Sequence, residues 1–391
     1  MIDDVIVVGA GPAGAVAATV LARAGARVRL LDRAVFPRDK LCGDTVNPGT
    51  LAELRRLDLA RPVEAAGLQI DGMLVTGPGA AIEGRYPDGL HGRALLRRDL
   101  DWALVQQAVE AGARFEPALS VRRALLDESG AQKTVTGVDV GVNGRERALP
   151  ARVTIAADGR RSTLAFSLGL ARHPPAPRRW AIGAYYEGAS GLSSLGEMHI
   201  NRGSYVGIAP VPGGLANVCL VRPSQPADQA LRAPAALLAA ALERDPRLRD
   251  RFVRARLVKP PVVLGPLAID AVAESPSGLL LAGDAAGFID PMTGDGLRFA
   301  VRGGVLAAVA ALEALAGGWK DVHARLAGNR RREFAAKWRF NRALRATVAS
   351  PVAVQAGALT ASLWPGLFRR IIGAAGDCGV ASDVSSLRTQ V

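Results

Sequence analysis

The N-terminal segment, residues 1–33, constrains the fold of this chain more than any other stretch does. Val5–Val8 is a short apolar run that predicts a buried strand, and the turn Gly9-x-Gly11-x-x-Gly14 follows it and begins a helix. Arg27–Asp32 then predicts a second strand. In such a turn the first glycine permits a tight bend, the second lets the backbone approach a pyrophosphate, and the third lets helix and strand pack closely. The segment therefore predicts a strand–helix–strand unit that binds a dinucleotide.

Two positions in this unit narrow the choice of dinucleotides that it could bind. Pro12, followed by Ala13, suits the first turn of the helix, where a missing N–H costs nothing. Asp32 ends the second strand, at a distance from Gly14 where a carboxylate accepts hydrogen bonds from a ribose diol. The acid favours an unphosphorylated ribose, and hence NAD or FAD.

A second acid follows a strand near residue 280. Leu279–Ala282 predicts a buried parallel strand that ends in Gly283-Asp284, at the edge where open α/β sheets bind their ligands. A loop with Pro291-x-x-Gly294-x-Gly296 leads into an alanine-rich helix, which we expect to span about 295–316. The free N–H groups and partial positive charge at the start of that helix suit a ring that becomes anionic on reduction.

A third acid lies in the middle of the chain. Val153–Ala156 predicts a strand, and Asp158-Gly159 follows its end. A helix begins at Ser162, so this serine is better explained as a helix cap than as a nucleophile.

Residues 33–50 contain two prolines and two glycines, which predicts an ordered loop beside the cofactor. Arg38, Lys40, Cys42 and Asp44 lie together on it. Two interpretations of Cys42 remain open: neighbouring cations activate its thiol, or it is a small packing residue whose backbone meets the cofactor.

The remaining stretches up to residue 267 are mostly β structure. Residues 72–93 and 118–157 predict strands, with Asn143-Gly144 as a turn. Between them a helix opens near Arg97 and ends before Gly112; Arg97 either contacts a phosphate bidentately or is solvated.

Pro174, Pro175 and Pro177 predict a boundary, beyond which a new sheet begins. Alternation predicts strands of one antiparallel sheet, able to cover a ligand on one face, at 180–187, 196–201, 205–211 and 215–221. A helix over 233–243 and an extended segment over 256–267 lead back to the strand near residue 280.

Composition excludes several classes of protein. The chain has 391 residues and 49% hydrophobic content, so we expect an ordered protein of more than one domain. No stretch of 18 uncharged apolar residues predicts a membrane span, and no signal peptide is visible. Three scattered cysteines suit a reducing cytosol, and four histidines without ligand spacing predict no metal. We therefore expect a cytoplasmic protein.

The net charge of +13 does not indicate nucleic-acid binding. Only five of the 49 basic residues are lysines, the arginines are spread along the chain, and no nucleic-acid-binding signature accompanies them. The charge could instead steer an anionic substrate, an acidic carrier protein or a membrane face. Oligomeric state is not specified by any of these features.

The C-terminal segment, from residue 321 onward, contains a basic helix over 325–345. A mostly apolar stretch over 352–375, which carries the charged pair Arg369-Arg370, follows it. Two interpretations remain open. The segment lies in the plane of an anionic membrane, giving a peripheral location on its inner face, or it packs over the substrate domain with a solvated basic face.

Taken in order, the motif at 9–14 with Asp32, Asp158-Gly159, and Gly283-Asp284 with the loop at 291–296 resemble the three fingerprints of the p-hydroxybenzoate-hydroxylase-fold flavoproteins. Within that superfamily the segments 36–44 and 287–296 are most similar to the geranylgeranyl reductase branch, which shades into flavin monooxygenases and halogenases.

The resemblance implies an α/β fold with a Rossmann-like FAD-binding domain of the glutathione-reductase type, an inserted antiparallel substrate sheet and a helical C-terminus. The implied FAD-binding domain is discontinuous and comprises 1–70, 95–175 and 265–320. The substrate domain comprises 71–94 and 176–264, and the C-terminal segment comprises 321–391.

The resemblance also implies one FAD and assigns its contacts. Asp158-Gly159 would touch FAD and any visiting NADH or NADPH, and the loop at Cys42-Gly43 would lie beside the isoalloxazine. The other implied FAD contacts are Ala13 for the pyrophosphate, Asp32 and Arg33 for the adenosine ribose, Arg97 and Val121 for the adenine and phosphate side, Asp284 for the phosphate–ribityl region, and Gly296 and Leu297 for the pyrimidine edge.

Two positions depart from the reductase pattern. The reductases carry Tyr-x-Trp-x-Phe-Pro, whereas this chain has Gly207 in place of the tryptophan, and Asp44 stands where a glycine is common. Both differences weaken the prediction of a prenyl substrate.

Three functions follow from the resemblance. In the first, reduced FAD reduces a double bond of a hydrophobic small molecule, with Cys42 or an adjacent group controlling protonation or access. In the second, FAD and oxygen hydroxylate or epoxidise an aromatic or polyketide-like substrate. In the third, the chain is a flavin-binding electron-transfer partner without a substrate pocket.

Overall fold

The structure, a computed structural model, describes residues 2–130, 132–142, 145–176, 178–201, 203–224, 228–272, 275–290 and 292–381. Its strands in chain order are β1 (Asp3–Val8), β2 (Val28–Leu31), β3 (Thr45–Val46), β4 (Leu68–Ile70), β5 (Gly72–Gly77), β6 (Ala80–Arg85), β7 (Gly92–Ala94), β8 (Arg114–Glu116), β9 (Ser120–Asp127), β10 (Thr134–Val142), β11 (Arg145–Ala156), β12 (Ala171–Arg172), β13 (Arg179–Glu187), β14 (Leu195–Asn201), β15 (Ser204–Val211), β16 (Leu215–Pro223), β17 (Arg256–Leu257), β18 (Val262–Leu264), β19 (Asp270–Ala271) and β20 (Leu279–Leu281). The helices are α1 (Pro12–Arg23), α2 (Pro48–Arg56), α3 (Arg61–Ala66), α4 (Arg97–Glu110), α5 (Thr163–Ser167), α6 (Pro234–Arg244), α7 (Pro246–Phe252), α8 (Gly296–Gly317), α9 (Val322–Ala349), α10 (Pro351–Leu363) and α11 (Pro365–Ala375).

Five parallel strands lie side by side in the order β8-β2-β1-β11-β20. Val8 is paired with Leu31 on one side and Ala156 on the other, and Ala156 is paired with Leu281. Four neighbouring strands therefore end in one row, so the residues that follow them meet at one edge of the sheet. The first half of β11 continues beyond this sheet and pairs antiparallel with β10, which pairs with β9.

Helices α1 and α8 cover one face of the parallel strands and pack closely together. A Cβ added to Gly304 of α8 would lie 2.4 Å from the carbonyl oxygen of Ala13 in α1, so only a glycine permits this approach. The core beneath them consists of aliphatic residues from β1, β2 and β11. The predicted strand–helix–strand unit and the predicted α/β fold class are confirmed.

The second large sheet has the order β17-β13-β16-β15-β14-β5-β6, and β18 also pairs with β13. The four strands predicted between residues 180 and 221 pair antiparallel, as predicted. The sheet also contains a parallel pair, β14 with β5, through which residues 72–85 join it. Helices α6 and α7 pack on one face, and the other face is turned toward the parallel strands.

Local differences from the predictions have identifiable causes. The loop predicted over residues 33–50 ends early, because α2 begins at Pro48, where the Asn47 side chain caps it by accepting a hydrogen bond of 2.8 Å from the Thr50 N–H. Helix α7 was not predicted; it follows α6 directly, with Asp245 as its cap. The predicted turn at Asn143-Gly144 and the proline at 177 lie outside the described residues.

The C-terminal helices pack on the rest of the protein. Helix α9 lies along α8, and α10 and α11 lie on the edge strand β6. Phe368 and Ile372 of α11 are buried against Met73, Val75 and Ile82. Packing over the substrate sheet, one of the two interpretations of this segment, is therefore seen in the structure.

Helix α8 is long and apolar enough to cross a membrane by length and composition, but half of it is buried inside the protein. This is the pattern of a helix that belongs to a protein core.

Candidate functional site

One cavity of about 1270 Å³ lies between the row of strand ends and the second sheet. Small-molecule pockets typically measure roughly 300–1,000 Å³, so this volume exceeds that of a single small ligand. It has room for an elongated cofactor and a second molecule.

The first side of the cavity is the strand-end edge, which we define as residues 9–14 after β1, Asp32 after β2, Asp158-Gly159 after β11 and Gly283-Asp284 after β20. The three glycine-and-acid corners, far apart along the chain, converge there. A Cβ on Gly9 would lie 2.5 Å from the Ala157 carbonyl oxygen, so the first two corners are in direct backbone contact.

Most of the residues predicted to bind the cofactor line the cavity. These are Gly9, Gly11, Pro12, Ala13, Asp32, Arg33, Cys42, Gly43, Arg97, Val121, Asp158, Gly159, Gly283, Asp284, Gly294, Gly296 and Leu297. Gly14 lies below the cavity surface, where a Cβ would be 1.8 Å from the Gly9 carbonyl oxygen; it is a packing residue of the turn. Pro291 lies outside the described residues.

Two helix N-termini and one unpaired carboxylate oxygen fit a polyanionic, hydroxyl-bearing ligand. Neither α1 nor α8 has a side-chain cap, so their first N–H groups remain available at the cavity. One oxygen of Asp158 accepts from the Thr163 N–H at 2.7 Å, while its Oδ1 is buried without a partner in the described part of the chain. Burial raises the pKa of Asp158.

Asp32 is held in place by backbone donors. Its two oxygens accept hydrogen bonds of 2.9 Å from the Ala10 and Ala34 N–H groups. It is 8% exposed, so its remaining acceptor capacity faces the cavity.

The buried Asp101 side chain organises the cations beside the edge. Arg97 forms a bidentate pair with Asp101, at 2.8 and 3.0 Å, and Arg38 contacts the same carboxylate at 3.0 Å. The Nε–Nη2 edge of the Arg97 guanidinium is therefore occupied by Asp101, and the side chain is 5% exposed, so Arg97 is not solvated. The charge of Arg97 also acts on the Cys42 thiol, so a cation lies near this thiol. Ser162 caps α5 by accepting from the Ala165 N–H, as predicted.

The opposite side of the cavity is the sheet wall, which we define as the cavity-facing residues of β13, β15 and β16. Because side chains alternate along a strand, every second residue faces the cavity and the others join the core under α6 and α7. Pairing arranges the wall in three cross-strand rows, namely Ala181–Val221–Tyr205, Gly183–Cys219–Gly207 and Tyr185–Asn217–Ala209.

Small and apolar residues dominate the sheet wall. Leu41, in the loop over residues 33–50 that we call the cysteine loop, lies over Gly183. The space in front of Gly207 is open, because a Cβ there would meet only carbonyl oxygens, at 3.9 Å. This open slot is where the reductase pattern places a tryptophan, so the substitution enlarges the cavity.

The wall row nearest the cysteine loop contains a polar group that the sequence analysis missed. The Tyr185 hydroxyl and the Asn217 amide donate to the same oxygen of Asp44, at 2.6 and 2.7 Å. Asn217 also donates to the Cys42 carbonyl oxygen at 2.8 Å. The three side chains are distant in sequence, and only the alternation in β13 and β16 indicates that Tyr185 and Asn217 share a face.

A second missed cluster holds the start of α8. Lys337 of α9 contacts Asp295 at 2.9 Å and Asp377 at 3.2 Å, and it is buried. Lys337 therefore does not belong to the solvated basic face expected for this helix. Arg330 is a second exception, since it donates to the carbonyl oxygen of Leu281.

A comparison with protein families matches residues 3–204 to the family described as "FAD binding domain". The chain is 32% identical to menaquinone reductase of Mycobacterium tuberculosis over 327 residues, covering 78% of this chain and 75% of that protein. It is 34% identical to digeranylgeranylglycerophospholipid reductase 2 of Methanopyrus kandleri over 322 residues, covering 80% and 77%.

Among solved structures, a flavin-dependent brominase aligns with a TM-score of 0.82 over 100% of this chain and 99% of its own, at 19% identity. At this identity the likeness concerns the fold alone. The same fold thus carries different chemistries, and the residues lining the cavity distinguish them.

Proposed function

The chain belongs to the FAD binding domain family of FAD-dependent oxidoreductases, and from this premise we propose that it reduces a carbon–carbon double bond of a hydrophobic prenyl- or quinone-type molecule. When bound, FAD would supply the hydride for this reduction. The protein would hold FAD, position the substrate and exclude water.

The residues of the strand-end edge fit FAD in this proposal. The N-terminus of α1 at Ala13 would hold the pyrophosphate, Asp32 and Arg33 the adenosine ribose, and Asp284 the phosphate–ribityl region. The uncapped N–H groups at Gly296 and Leu297 would face the flavin pyrimidine edge. The partial positive charge at this helix end would stabilise negative charge on the reduced ring.

The remaining expected contacts come from other elements. The Val121 backbone would support the adenine, and Arg97 would act there through its charge rather than a bidentate fork. Asp158-Gly159 would contact both FAD and a visiting NADH or NADPH, which we propose as the electron donor. The cysteine loop at Cys42-Gly43 would lie beside the isoalloxazine.

The observation that carries the proposal is the combination of volume and wall chemistry. The cavity continues past the strand-end edge along the sheet wall, where five of the nine residues in the three rows are glycine, alanine or valine. Such a wall binds an apolar chain by excluding water from both surfaces. It also counts against a flavin-binding electron carrier without its own pocket.

Anaerobic turnover tests the reductase function. The FAD-loaded protein is reduced by NADPH or NADH without oxygen and mixed with a menaquinone that has an unsaturated side chain, or with digeranylgeranylglycerophospholipid. We expect reoxidation of the flavin and a product that has gained two hydrogens per reduced double bond.

Oxygen chemistry is the alternative outcome of that experiment. If no probe is reduced anaerobically, but substrate-dependent oxygen uptake incorporates labelled oxygen into an aromatic or polyketide-like compound, the enzyme is a monooxygenase. That result would replace the proposal.

We further propose a cytoplasmic location with peripheral contact to the inner, anionic membrane face, where hydrophobic substrates reside. Trp364 is 66% exposed and Val352 75% exposed, and Arg369 and Arg370 are exposed nearby. Flotation with anionic vesicles that weakens at high salt supports this contact. If an acidic carrier protein delivers the substrate instead, this protein should not float with the vesicles.

A further inference from the structure

Asp44 is a carboxylate buried between the loop over residues 33–50 and the sheet wall. It is 0% exposed, and no salt bridge joins it to a cation in the described part of the chain. One oxygen accepts from both Tyr185 and Asn217, and Oδ1 has no partner among the described residues. A buried, partly unsatisfied carboxyl group is costly in its ionised form.

The charged and titratable groups around Asp44 come from four elements. They are Tyr185 on β13, Cys219 on β16, Arg97 on α4 and Cys42 on its own loop. Burial is the largest influence and raises the pKa of Asp44 to about 6, against the hydrogen bonds from Tyr185 and Asn217 and the charge of Arg97. Asp44 therefore keeps its proton to a higher pH than an ordinary aspartate, up to about pH 6.

Tyr185 connects this buried group to the cavity. Its side chain is half-buried and lines the cavity, while its hydroxyl lies 2.6 Å from Asp44. Burial and the neighbouring carboxylate raise the pKa of Tyr185, so the phenol cannot release a proton without replacing it. Burial likewise raises the pKa of the adjacent Cys219 thiol to about 12, which makes it a poor acid.

We propose that Tyr185 donates the proton that completes double-bond reduction and that Asp44, which does not touch the substrate, supplies the replacement proton. This inference rests on the proposed function. It names the group that controls protonation, a role considered above for Cys42 or a neighbour.

The proposed step balances as follows. The C=C π bond breaks, a hydride from the reduced cofactor forms one C–H bond, and the Tyr185 hydroxyl proton forms the other. As Tyr185 gives up this proton, it takes the proton of Asp44, so no phenolate forms beside a carboxylate. Asp44 is left ionised, and a proton from solvent restores it.

Two substitutions test the pair, and the neighbouring tyrosine provides a matched control. Tyr185→Phe removes the hydroxyl, and Asp44→Asn removes the exchangeable acid. Asp44 has a φ of 52°, a left-handed conformation that asparagine also tolerates, and asparagine still offers an oxygen to Tyr185 and Asn217. The control Tyr186→Phe loses the same atom on the opposite face of β13, where the ring packs against Phe252.

The kinetic measurement is a single anaerobic turnover of the prereduced enzyme with an unsaturated menaquinone. We expect Tyr185→Phe and Asp44→Asn to slow it by about 10²–10⁴-fold, the usual contribution of a general acid. The wild-type rate should fall as pH rises through the Asp44 pKa, a dependence that Asp44→Asn loses. A Tyr185→Phe rate within twofold of wild type overturns the inference, whereas failure of the wild type on every probe rejects the proposed function.

An infrared titration of the oxidised, FAD-loaded protein tests the coupling without turnover. The Tyr185 hydrogen bond lowers the pKa of Asp44, so Tyr185→Phe should raise it and Tyr186→Phe should leave it unchanged. The carboxyl C=O band assigned by its absence in Asp44→Asn reports this pKa. An unchanged value in Tyr185→Phe overturns the coupled pair even if turnover is slowed.

Discussion

The strand-end edge and the sheet wall face each other across one cavity, but they are built from different kinds of contact. At the edge, backbone meets backbone: a Cβ on Gly9 or on Gly14 would overlap a backbone carbonyl oxygen, so no side chain fits at either position. At the wall, side chains meet side chains from distant segments, as Tyr185 and Asn217 meet Asp44. An edge of this kind can be recognised from short motifs, whereas the wall is specified only by the complete fold.

The largest expected effect is at the edge. A methyl group on Gly14 would lie 1.8 Å from the Gly9 carbonyl oxygen, and this backbone cannot move without opening the turn. We expect Gly14→Ala to cost more than about 4–5 kcal/mol, the exceptional range for single substitutions, and to give a colourless protein. Flavin absorbance and thermal unfolding measure it.

Gly317→Ala is the control for this prediction, because nothing lies within 4 Å of a Cβ there. It should leave flavin binding and unfolding unchanged or slightly improved. A yellow, stable Gly14→Ala protein would show that the edge does not depend on close backbone packing.

The start of α8, beside the edge, is held by a distant side chain. Removing Lys337 leaves Asp295 and Asp377 without their shared cation, so Lys337→Met should destabilise the protein by about 3–5 kcal/mol at neutral pH. Burial raises the pKa of Asp295 to about 7, so protonation should reduce this loss at acidic pH.

Urea unfolding at two pH values measures the loss, with Arg339→Met, an exposed charge on the same helix, as the control. Equal effects of the two substitutions would mean that the C-terminal helices do not secure the edge.

At the sheet wall we predict a stability effect whose pH dependence is opposite to that of Lys337→Met. The folded protein raises the pKa of Asp44 from 3.8 to about 6, so its protonated form is favoured in the fold, and the stability associated with it is lost as pH rises from about 4 to about 6. Asp44→Asn avoids this loss. Above pH 6 its stability relative to wild type should therefore be greater than at pH 4 by up to about 3 kcal/mol, at about 1.4 kcal/mol per pKa unit.

Denaturant unfolding of both proteins between pH 4 and pH 8 checks the difference. A difference in stability that does not vary with pH would mean that folding does not raise the pKa of Asp44.

The contrast between the strand-end edge and the sheet wall explains which parts of the structure could be predicted from the sequence. The strand ends, the turn at residues 9–14 and the family resemblance follow from residues adjacent in sequence, and the fold class they predicted is confirmed. Lys337 does not lie on the solvated basic face that one interpretation of the C-terminal segment expected, since its partners Asp295 and Asp377 belong to distant parts of the sequence. The contact between Tyr185 and Asp44 could not be predicted, since no periodicity indicates a hydrogen bond to a loop 141 residues earlier.

The smallest expected effect on stability, but a large one on substrate choice, is at Gly207. A Cβ at this position meets only carbonyl oxygens at 3.9 Å, so Gly207→Ala should change stability by no more than about 0.5 kcal/mol. Gly207→Trp fills the open slot of the sheet wall. We expect it to raise KM for long or bulky unsaturated probes by about 10–200-fold, while flavin content and reduction by NAD(P)H remain at wild-type levels.

The alanine variant is the matched control, because it alters the same backbone position without occupying the cavity. If both variants accept long and short probes equally, the substrate does not lie along the sheet wall, and the contrast between a backbone-built cofactor edge and a side-chain-built substrate wall must be abandoned.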